Sequence, residues 1–256
     1  MRFPRLSFEA LPRPLKRLIK LGIPKSILLK RRNRRLMVMN GKSNSEIFSA
    51  TYNNFLWGRK SNDFKFYSGD GSHLPEIVND YIANVSNFLS SFEAKPSVVD
   101  IGCGDFNIGS QLAHLTSEYI ACDVVTSVIE QNRKLFMIEN VKFLVVDAVV
   151  QELPKGDVVI LRQVLQHLSN QDVTSIIRKV EKIYEYLIFT DHQPFERDWI
   201  PNIDKLTGPN IRVEFGSGLD LAQPPFNLEF HQFELISEVR NIDGYIRTFV
   251  FRLGSK

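Results

Sequence analysis

Three acidic residues, Asp100, Asp123 and Asp147, each lie within or just after an apolar segment of the sequence. If these segments are parallel strands, their carboxyl ends meet at one edge of a sheet, where open α/β sheets bind ligands. Asp123 follows Gly104 by 19 residues, a spacing at which a carboxylate accepts the hydroxyls of a ribose. Carboxylates repel phosphate groups, so the three acids predict a ligand with hydroxyl or cationic groups. Asp147 is placed to accept from an adenine amino group.

A glycine turn follows Asp100. Gly102 and Gly104 allow the backbone to turn sharply and to approach a ligand closely, and the predicted helix after them offers free N–H groups at its start. The dinucleotide-binding fingerprint has a third glycine where this sequence has Asn107, and no phosphate-binding loop of the G-x-x-x-x-G-K-[ST] type occurs. The turn therefore indicates a nucleoside ligand, and its match to NAD binding is poor.

Strands and helices alternate from residue 97 onward, which is typical of an α/β sheet. The strands are continuous apolar runs, as expected for parallel strands that are covered on both faces. Two further apolar runs flank Asn241-Ile242-Asp243-Gly244, which predicts a hairpin. The predicted strands are 97–101, 118–122, 141–146, 157–162 and 184–190, and the hairpin joins 233–240 to 245–253. The predicted helices are 108–115, 126–138 and 170–183, and a short helix is a further candidate at 163–168.

Composition limits the class of protein. The apolar fraction of 43% suits a globular core, and no run approaches the ~18 apolar residues that span a bilayer. The two cysteines, Cys103 and Cys122, do not form a disulfide framework, which favours a reducing, cytoplasmic setting. No Cys–His cluster has the spacing of metal ligands, so we expect no metal.

Charge divides the chain into a basic arm and an acidic body. Residues 1–40 contain twelve lysines and arginines and one acid, a net charge of +11, whereas the remaining residues carry −8. Leu11, Leu15 and Leu18 lie at helical spacing in the arm. A membrane-surface segment attracted to anionic lipid, a nucleic-acid clamp and a solvated tail are the alternatives, and the acidic body disfavours nucleic acid. A membrane-bound arm would place the protein at the inner membrane face.

We divide the sequence into a basic N-terminal arm at 1–44, a helical cap segment at 45–92 and a Rossmann-like domain at 93–256. In the cap segment, an aromatic-rich helix is expected to end at Gly58, and Pro75 begins a second helix with one apolar face. The small polar loop between them is of the kind that often lines a site.

The run Asp100-x-Gly102-x-Gly104, followed by Asp123 and Asp147, resembles the class I S-adenosylmethionine-dependent methyltransferases. The resemblance covers the cap segment and the domain after it. It includes the terminal hairpin, which supplies strands six and seven in that fold. The resemblance therefore implies a Rossmann-like, mostly parallel seven-stranded sheet with helices on both faces and a C-terminal antiparallel hairpin.

A bacterial subgroup of this family is similar upstream as well. Its matching elements are Trp57-Gly58, the loop Ser68-Gly69-Asp70-Gly71-Ser72 and the run from Arg162 to Ser169. The resemblance implies that S-adenosyl-L-methionine is the cofactor, with its ammonium on Asp100, its ribose on Asp123 and its adenine amino group on Asp147. The full set of implied cofactor-binding residues is Trp57, Ser68, Gly69, Ser72, Asp100, Gly102, Cys103, Gly104, Asp123, Val124, Asp147, Ala148, Arg162 and Gln163.

Two histidines are candidates for a catalytic base, because histidine is the usual residue to take a proton from a hydroxyl acceptor. His167 follows the fourth predicted strand and His192 follows the fifth. A packed or surface histidine is the alternative at each position, and we rank His167 first. We expect an O-methyltransferase for a small-molecule or surface-glycan hydroxyl. The alternatives are an RNA or protein methyltransferase and a non-catalytic cofactor-binding scaffold protein.

Overall fold

A single seven-stranded sheet forms the centre of the computed structural model, which describes residues 41–58 and 66–254. The strands are β1 (Ser97–Ile101), β2 (Glu118–Asp123), β3 (Val141–Val145), β4 (Val158–Arg162), β5 (Tyr186–Gln193), β6 (Gln232–Arg240) and β7 (Tyr245–Arg252). Their order across the sheet is β3-β2-β1-β4-β5-β7-β6. Strands β1 to β5 are parallel, whereas β7 lies antiparallel between β5 and β6. The predicted fold is therefore confirmed.

Helices cover both faces of this sheet. They are α1 (Asn44–Asn53), α2 (Pro75–Ser90), α3 (Gly109–Leu112), α4 (Thr126–Leu135) and α5 (Asn170–Ile183). Successive strand residues point to opposite faces, so Val98 packs in the cluster that contains α2, whereas Val99 packs in the cluster that contains α5. Both valines are fully buried, which explains why the strand sequences are continuous apolar runs.

Several predicted boundaries differ from the structure. The helix expected to reach Gly58 ends at Asn53, because the Asn54 side chain donates to the carbonyl of Ala50 and Phe55 takes a φ of +53°. The predicted helix 108–115 is α-helical only over Gly109–Leu112 and continues as a 3₁₀ turn.

The predicted helix 126–138 ends at Leu135, since Phe136 takes an extended conformation. Strand β5, in contrast, ends three residues later than predicted, because β7 pairs with it as far as Gln193.

The basic arm at 1–40 and the segment 59–65 lie outside the described residues. Within the described part of the chain, no helix is long and apolar enough to cross a membrane.

Candidate cofactor and acceptor site

One cavity lies beyond the carboxyl ends of the parallel strands and has a volume of about 460 Å³. All of the predicted cofactor-binding residues line it, from Trp57 in the cap segment to Gln163 after β4. Both predicted catalytic histidines, His167 and His192, line it as well. The sheet order changes direction between β1 and β4, and this switch point is where open α/β sheets hold their ligands. The structure therefore brings the complete predicted set into one place.

Asp123 ties the glycine turn to the end of β2. One carboxylate oxygen accepts from the backbone N–H of Gly104 at 3.1 Å, and the other accepts from Val125 at 2.9 Å. Burial raises the pKa of Asp123 to about 6, and these backbone hydrogen bonds oppose the increase. A carboxylate has about four lone-pair positions, so acceptor capacity is left for the hydroxyls of a ligand.

Asp100 lies on β1 and is buried to the same extent as Asp123. Tyr119 on β2 donates to its carboxylate at 2.9 Å. Burial raises the pKa of Asp100 to about 7, while the hydrogen bond from Tyr119 and the charge of Arg162 lower it. A cationic group of a ligand would stabilise the ionised form of this carboxylate.

Asp147 follows β3 and caps the turn after it. One carboxylate oxygen accepts from the backbone N–H of Val149 at 3.0 Å and from the side-chain amide of Asn44 at 3.3 Å. The contact with Asn44 connects α1 to the far side of the cavity. Val124 and Ala148 lie beside the two later carboxylates and add apolar surface.

The loop from Ser68 to Ser72 lies directly on the glycine turn. Ser68 donates its N–H to Asp105 at 2.9 Å, and the Ser68 hydroxyl accepts from the N–H of Asp105 at 2.8 Å. The same Asp105 carboxylate pairs with His73 at 2.6 Å. Gly104 has a φ of +55°, and a Cβ there would lie 2.2 Å from the Ser68 hydroxyl oxygen. Only glycine therefore permits this close packing of the loop on the turn.

Arg162 holds the same loop to the end of β4. Its guanidinium donates to the carbonyl of Gly71 at 2.6 Å and to the hydroxyl of Ser72 at 3.1 Å. Its Nε and the Nε2 of Gln163 are buried and have no hydrogen-bond partner among the described residues. Gln163 also has a φ of +55°, which is uncommon outside glycine. Two buried donors without partners indicate that the cavity accommodates an acceptor group of a ligand.

The two histidines have different surroundings. His167 packs against Trp57 with ring centroids 5.0 Å apart, and burial together with the Lys205 charge lowers its pKa to about 3. His192, on β5, is 5% exposed, and its Nε2 lies 3.6 Å from a carboxylate oxygen of Asp243. Burial lowers the pKa of His192, and the charge of Asp243 raises it.

Several residues of the site have no clear signal in the sequence. Asp105 follows the glycine turn directly, but its partners Ser68 and His73 are more than 30 residues away. Glu214 and Asp243 line the cavity from a long insertion and from the hairpin turn. Phe106 does not face the cavity: it is fully buried and packs edge to face against Tyr119, Phe136 and Phe143.

The sequence matches the family model of a methyltransferase domain over residues 98–185. No curated protein sequence matches the chain. Among solved structures, the N-methyltransferase NodS from Bradyrhizobium japonicum WM9, in complex with S-adenosyl-L-homocysteine, is 13% identical and has a TM-score of 0.58. That match covers 83% of this chain and 100% of NodS.

Two further structures are similar in fold. Magnesium protoporphyrin IX methyltransferase (ChlM) from Synechocystis PCC 6803, with bound S-adenosyl-L-homocysteine, is 15% identical with a TM-score of 0.53, and the match covers 86% of this chain and 100% of ChlM. The N-terminal domain of EvdMO1, crystallised in the presence of S-adenosyl-L-homocysteine and D-fucose, is 11% identical with a TM-score of 0.52. That match covers 88% of this chain and 97% of the EvdMO1 chain.

At these identities the structural similarity concerns the fold, and the family model identifies the domain. Together they agree with the expected class: residues 98–185 form a methyltransferase domain, and the fold is that of class I methyltransferases that depend on S-adenosylmethionine.

Proposed function

We propose that this protein transfers the methyl group of S-adenosylmethionine to a hydroxyl group of a small-molecule or sugar acceptor. The observation that supports it most directly is the set of donors and acceptors in the cavity. Carboxylates lie at the ends of β1, β2 and β3, and two unpartnered donors lie at the end of β4. The cofactor carries an ammonium, a carboxylate, two ribose hydroxyls and an adenine amino group, and these residues match each of them.

In this proposal each residue binds one part of the cofactor. Asp100 would bind the ammonium and Asp123 the ribose hydroxyls, while Asp147 would accept from the adenine amino group. Nε of Arg162 and Nε2 of Gln163 would donate to the carboxylate, which removes the cost of leaving two buried donors unpaired. Bound S-adenosylmethionine supplies an activated methyl group, so the protein contributes alignment and exclusion of water.

The choice of an uncharged hydroxyl acceptor follows from the other half of the cavity. The described residues that line it beyond β4 and β5 include Asn241, Glu214 and Asp243 and no lysine or arginine. Polar oxygen and amide groups without cations suit hydroxyls better than phosphates or carboxylates. The presence of D-fucose with EvdMO1, a protein of the same fold, agrees with a sugar-sized acceptor.

Calorimetry with S-adenosylmethionine, followed by a methyl-transfer screen read by mass spectrometry, tests this function. The screen would cover free sugars, methyl glycosides and lipid-linked surface glycans, with RNA and protein as further acceptors. A methylated sugar or small molecule is the expected product. Absence of cofactor binding would instead favour a scaffold protein, and methylated RNA or protein would replace the proposed acceptor class.

We also propose that the basic arm at 1–40 attaches the protein to an anionic membrane surface on the cytoplasmic side. The support is the net charge of +11 beside an apolar leucine stripe. A lipid-linked acceptor would then be concentrated near the site.

A further inference from the structure

The acceptor half of the cavity is assembled from two segments far apart in the sequence. The first is the insertion between β5 and β6, which contributes Ile211 and Glu214. The second is the turn between β6 and β7, which contributes Asn241 and Asp243. His192 lies between them, because β5 reaches this side of the cavity and pairs with β7 at Ile246.

Buried cations fix the insertion to the chain after β4. Arg212 is 1% exposed and donates to the carbonyls of Leu165 at 3.0 Å and Leu168 at 2.8 Å. Lys205 donates to the carbonyl of His167 at 2.8 Å. These hydrogen bonds place the insertion beside the cavity and next to His167, whose side chain is half-buried.

The hairpin turn is fixed to β5 just as closely. A Cβ at Gly244 would lie 2.1 Å from the carbonyl oxygen of Gln193 and 3.1 Å from Cδ2 of His192. The absence of a side chain at Gly244 therefore allows the turn to contact His192, and it brings Asp243 within 3.6 Å of the ring. Side-chain exposure is 6% for His192 and 48% for Asp243, so the pair connects the buried cavity to solvent.

The two candidate bases are not equivalent in this setting. His167 has no carboxylate partner among the described residues, and its Nδ1 is buried without a partner. Its ring is also covered by Trp57 and Phe48. The lowered pKa of His167 also makes it a poor base near neutral pH. His192 has a carboxylate beside one ring nitrogen, which is the arrangement that sets the tautomer of a catalytic histidine.

We propose that His192 is the catalytic base for an uncharged, hydroxyl-bearing acceptor and that Asp243 is the positioning residue that sets its tautomer. This inference rests on the proposed function. Nε2 of His192 is buried, has no hydrogen-bond partner among the described residues and lies 3.6 Å from a carboxylate oxygen of Asp243. In this proposal Nε2 carries the hydrogen that faces Asp243, and Nδ1 accepts the proton of the acceptor. The separation of 3.6 Å is longer than a hydrogen bond, as is common for catalytic pairs before the substrate binds.

The reaction step balances with S-adenosylmethionine as the methyl donor and these two residues as the route for the proton. The acceptor oxygen forms a bond to the methyl carbon while the carbon–sulfur bond breaks, and that electron pair stays on sulfur. The hydroxyl proton passes to Nδ1 of His192, and the imidazolium is stabilised by the Asp243 carboxylate. The half-exposed Asp243 side chain then lets the proton leave to solvent.

The first test reads the tautomer of His192 without any reaction. The full chain is labelled with ¹⁵N-histidine and held at pH 8 with S-adenosyl-L-homocysteine, and the His192 signals are assigned by their loss in His192→Gln. The inference expects hydrogen on Nε2 in the unaltered protein and a changed tautomer ratio in Asp243→Asn. Asn-Gly turns form hairpins as readily as Asp-Gly turns, so this variant keeps the fold. Hydrogen on Nδ1 in the unaltered protein would overturn the inference.

The second test measures kcat and KM with the sugar and glycoside panel and its phosphorylated analogues. His192→Gln should lower kcat by a factor of about 100 or more, with the affinity for S-adenosylmethionine within about twofold. Asp243→Asn should lower kcat by about tenfold, and Asp243→Glu should restore much of it because the carboxylate returns. The exposed residues His114 and Asp198 provide matched controls, since His114→Gln and Asp198→Asn should leave kcat unchanged.

The outcomes separate this inference from the proposed function. If calorimetry shows no cofactor binding, the proposed function fails. If the cofactor binds but no hydroxyl acceptor is methylated, or phosphorylated analogues are preferred, the acceptor class and His192 as its base are both wrong. Equal kcat for His192→Gln and the unaltered protein would also remove His192 from the reaction.

Discussion

The carboxylate of Asp123 accepts the backbone N–H of Gly104 at 3.1 Å, which joins the end of β2 to the turn after β1. Replacing Asp123 with alanine leaves this N–H and that of Val125 without their acceptor and removes the proposed partner of the ribose. We expect the Kd of S-adenosylmethionine to rise by a factor of about 100 or more, from loss of charged hydrogen bonds worth about 1.5–3 kcal/mol each. Calorimetry checks this, and unchanged affinity in a folded Asp123→Ala protein would contradict the assignment.

The close packing of Ser68 on Gly104 makes a second prediction. Gly104→Ala should destabilise the protein and weaken cofactor binding at least tenfold, because its Cβ would lie 2.2 Å from the Ser68 hydroxyl oxygen and push the loop away. Gly216→Ala is the matched control: φ is +69° there, but nothing lies within 4 Å of the added Cβ. In Gly216→Ala the free energy of unfolding should fall only by the cost of an alanine in the left-handed conformation, about 1–2 kcal/mol. Its affinity for S-adenosylmethionine should be unchanged.

Thermal unfolding and calorimetry on both glycine variants separate the effect of backbone strain at positive φ from the effect of the steric contact with Ser68. If the two alanine variants lose equal stability and both bind the cofactor normally, then the loop does not depend on glycine at 104.

The elements that depend on local sequence were predictable. β1 has its predicted bounds, and the helix at 170–183 does as well, because continuous apolar runs and a serine cap at Ser169 are local signals. The three carboxylates could be placed in one site for the same reason, since each lies at or just after the carboxyl end of its own strand. Because the strands are parallel, their carboxyl ends lie at the same edge of the sheet, so the three carboxylates can be placed together without knowledge of side-chain packing.

The contacts that complete the site depend on non-local pairing. His73 reaches Asp105 only when the cap segment packs on the glycine turn, and Asp243 reaches His192 only when β7 pairs with β5. The two residues of each pair are more than 30 residues apart in the sequence, and neither their types nor their spacing predicts the contact. The packing of His167 against Trp57 and its contact with Lys205 of the insertion are likewise properties of tertiary structure, so they could not inform the order in which the sequence ranks His167 and His192.

Removal of the basic arm provides a third prediction. We expect the full chain to sediment with vesicles that contain anionic phospholipid, and a chain lacking residues 1–40 to sediment several-fold less. Attraction of lysine and arginine to such a surface is worth about 1 kcal/mol for each residue near it. Vesicles of neutral lipid are the control. Equal sedimentation of the two chains would exclude the arm as the membrane contact, and salt-sensitive binding of the arm to RNA would favour the nucleic-acid alternative.

The raised pKa of Asp100 gives a fourth prediction, about pH. Burial raises its pKa from 3.8 to about 7 in the folded protein. A buried carboxylate of this kind adds stability below its unfolded pKa, and that contribution is lost as the pH rises through about 7. The cofactor ammonium requires the ionised form, so its affinity should increase between about pH 6 and 8 with release of a proton.

Calorimetry in buffers with different ionisation enthalpies measures that proton, and Asp100→Asn should abolish its release and the pH dependence of binding. Asp191 is the matched control, because burial also raises its pKa to about 7 but it does not line the cavity. Asp191→Asn should change the pH dependence of unfolding and leave the pH dependence of binding as it was. If Asp100→Asn still releases a proton on binding, another group holds the ammonium of the cofactor.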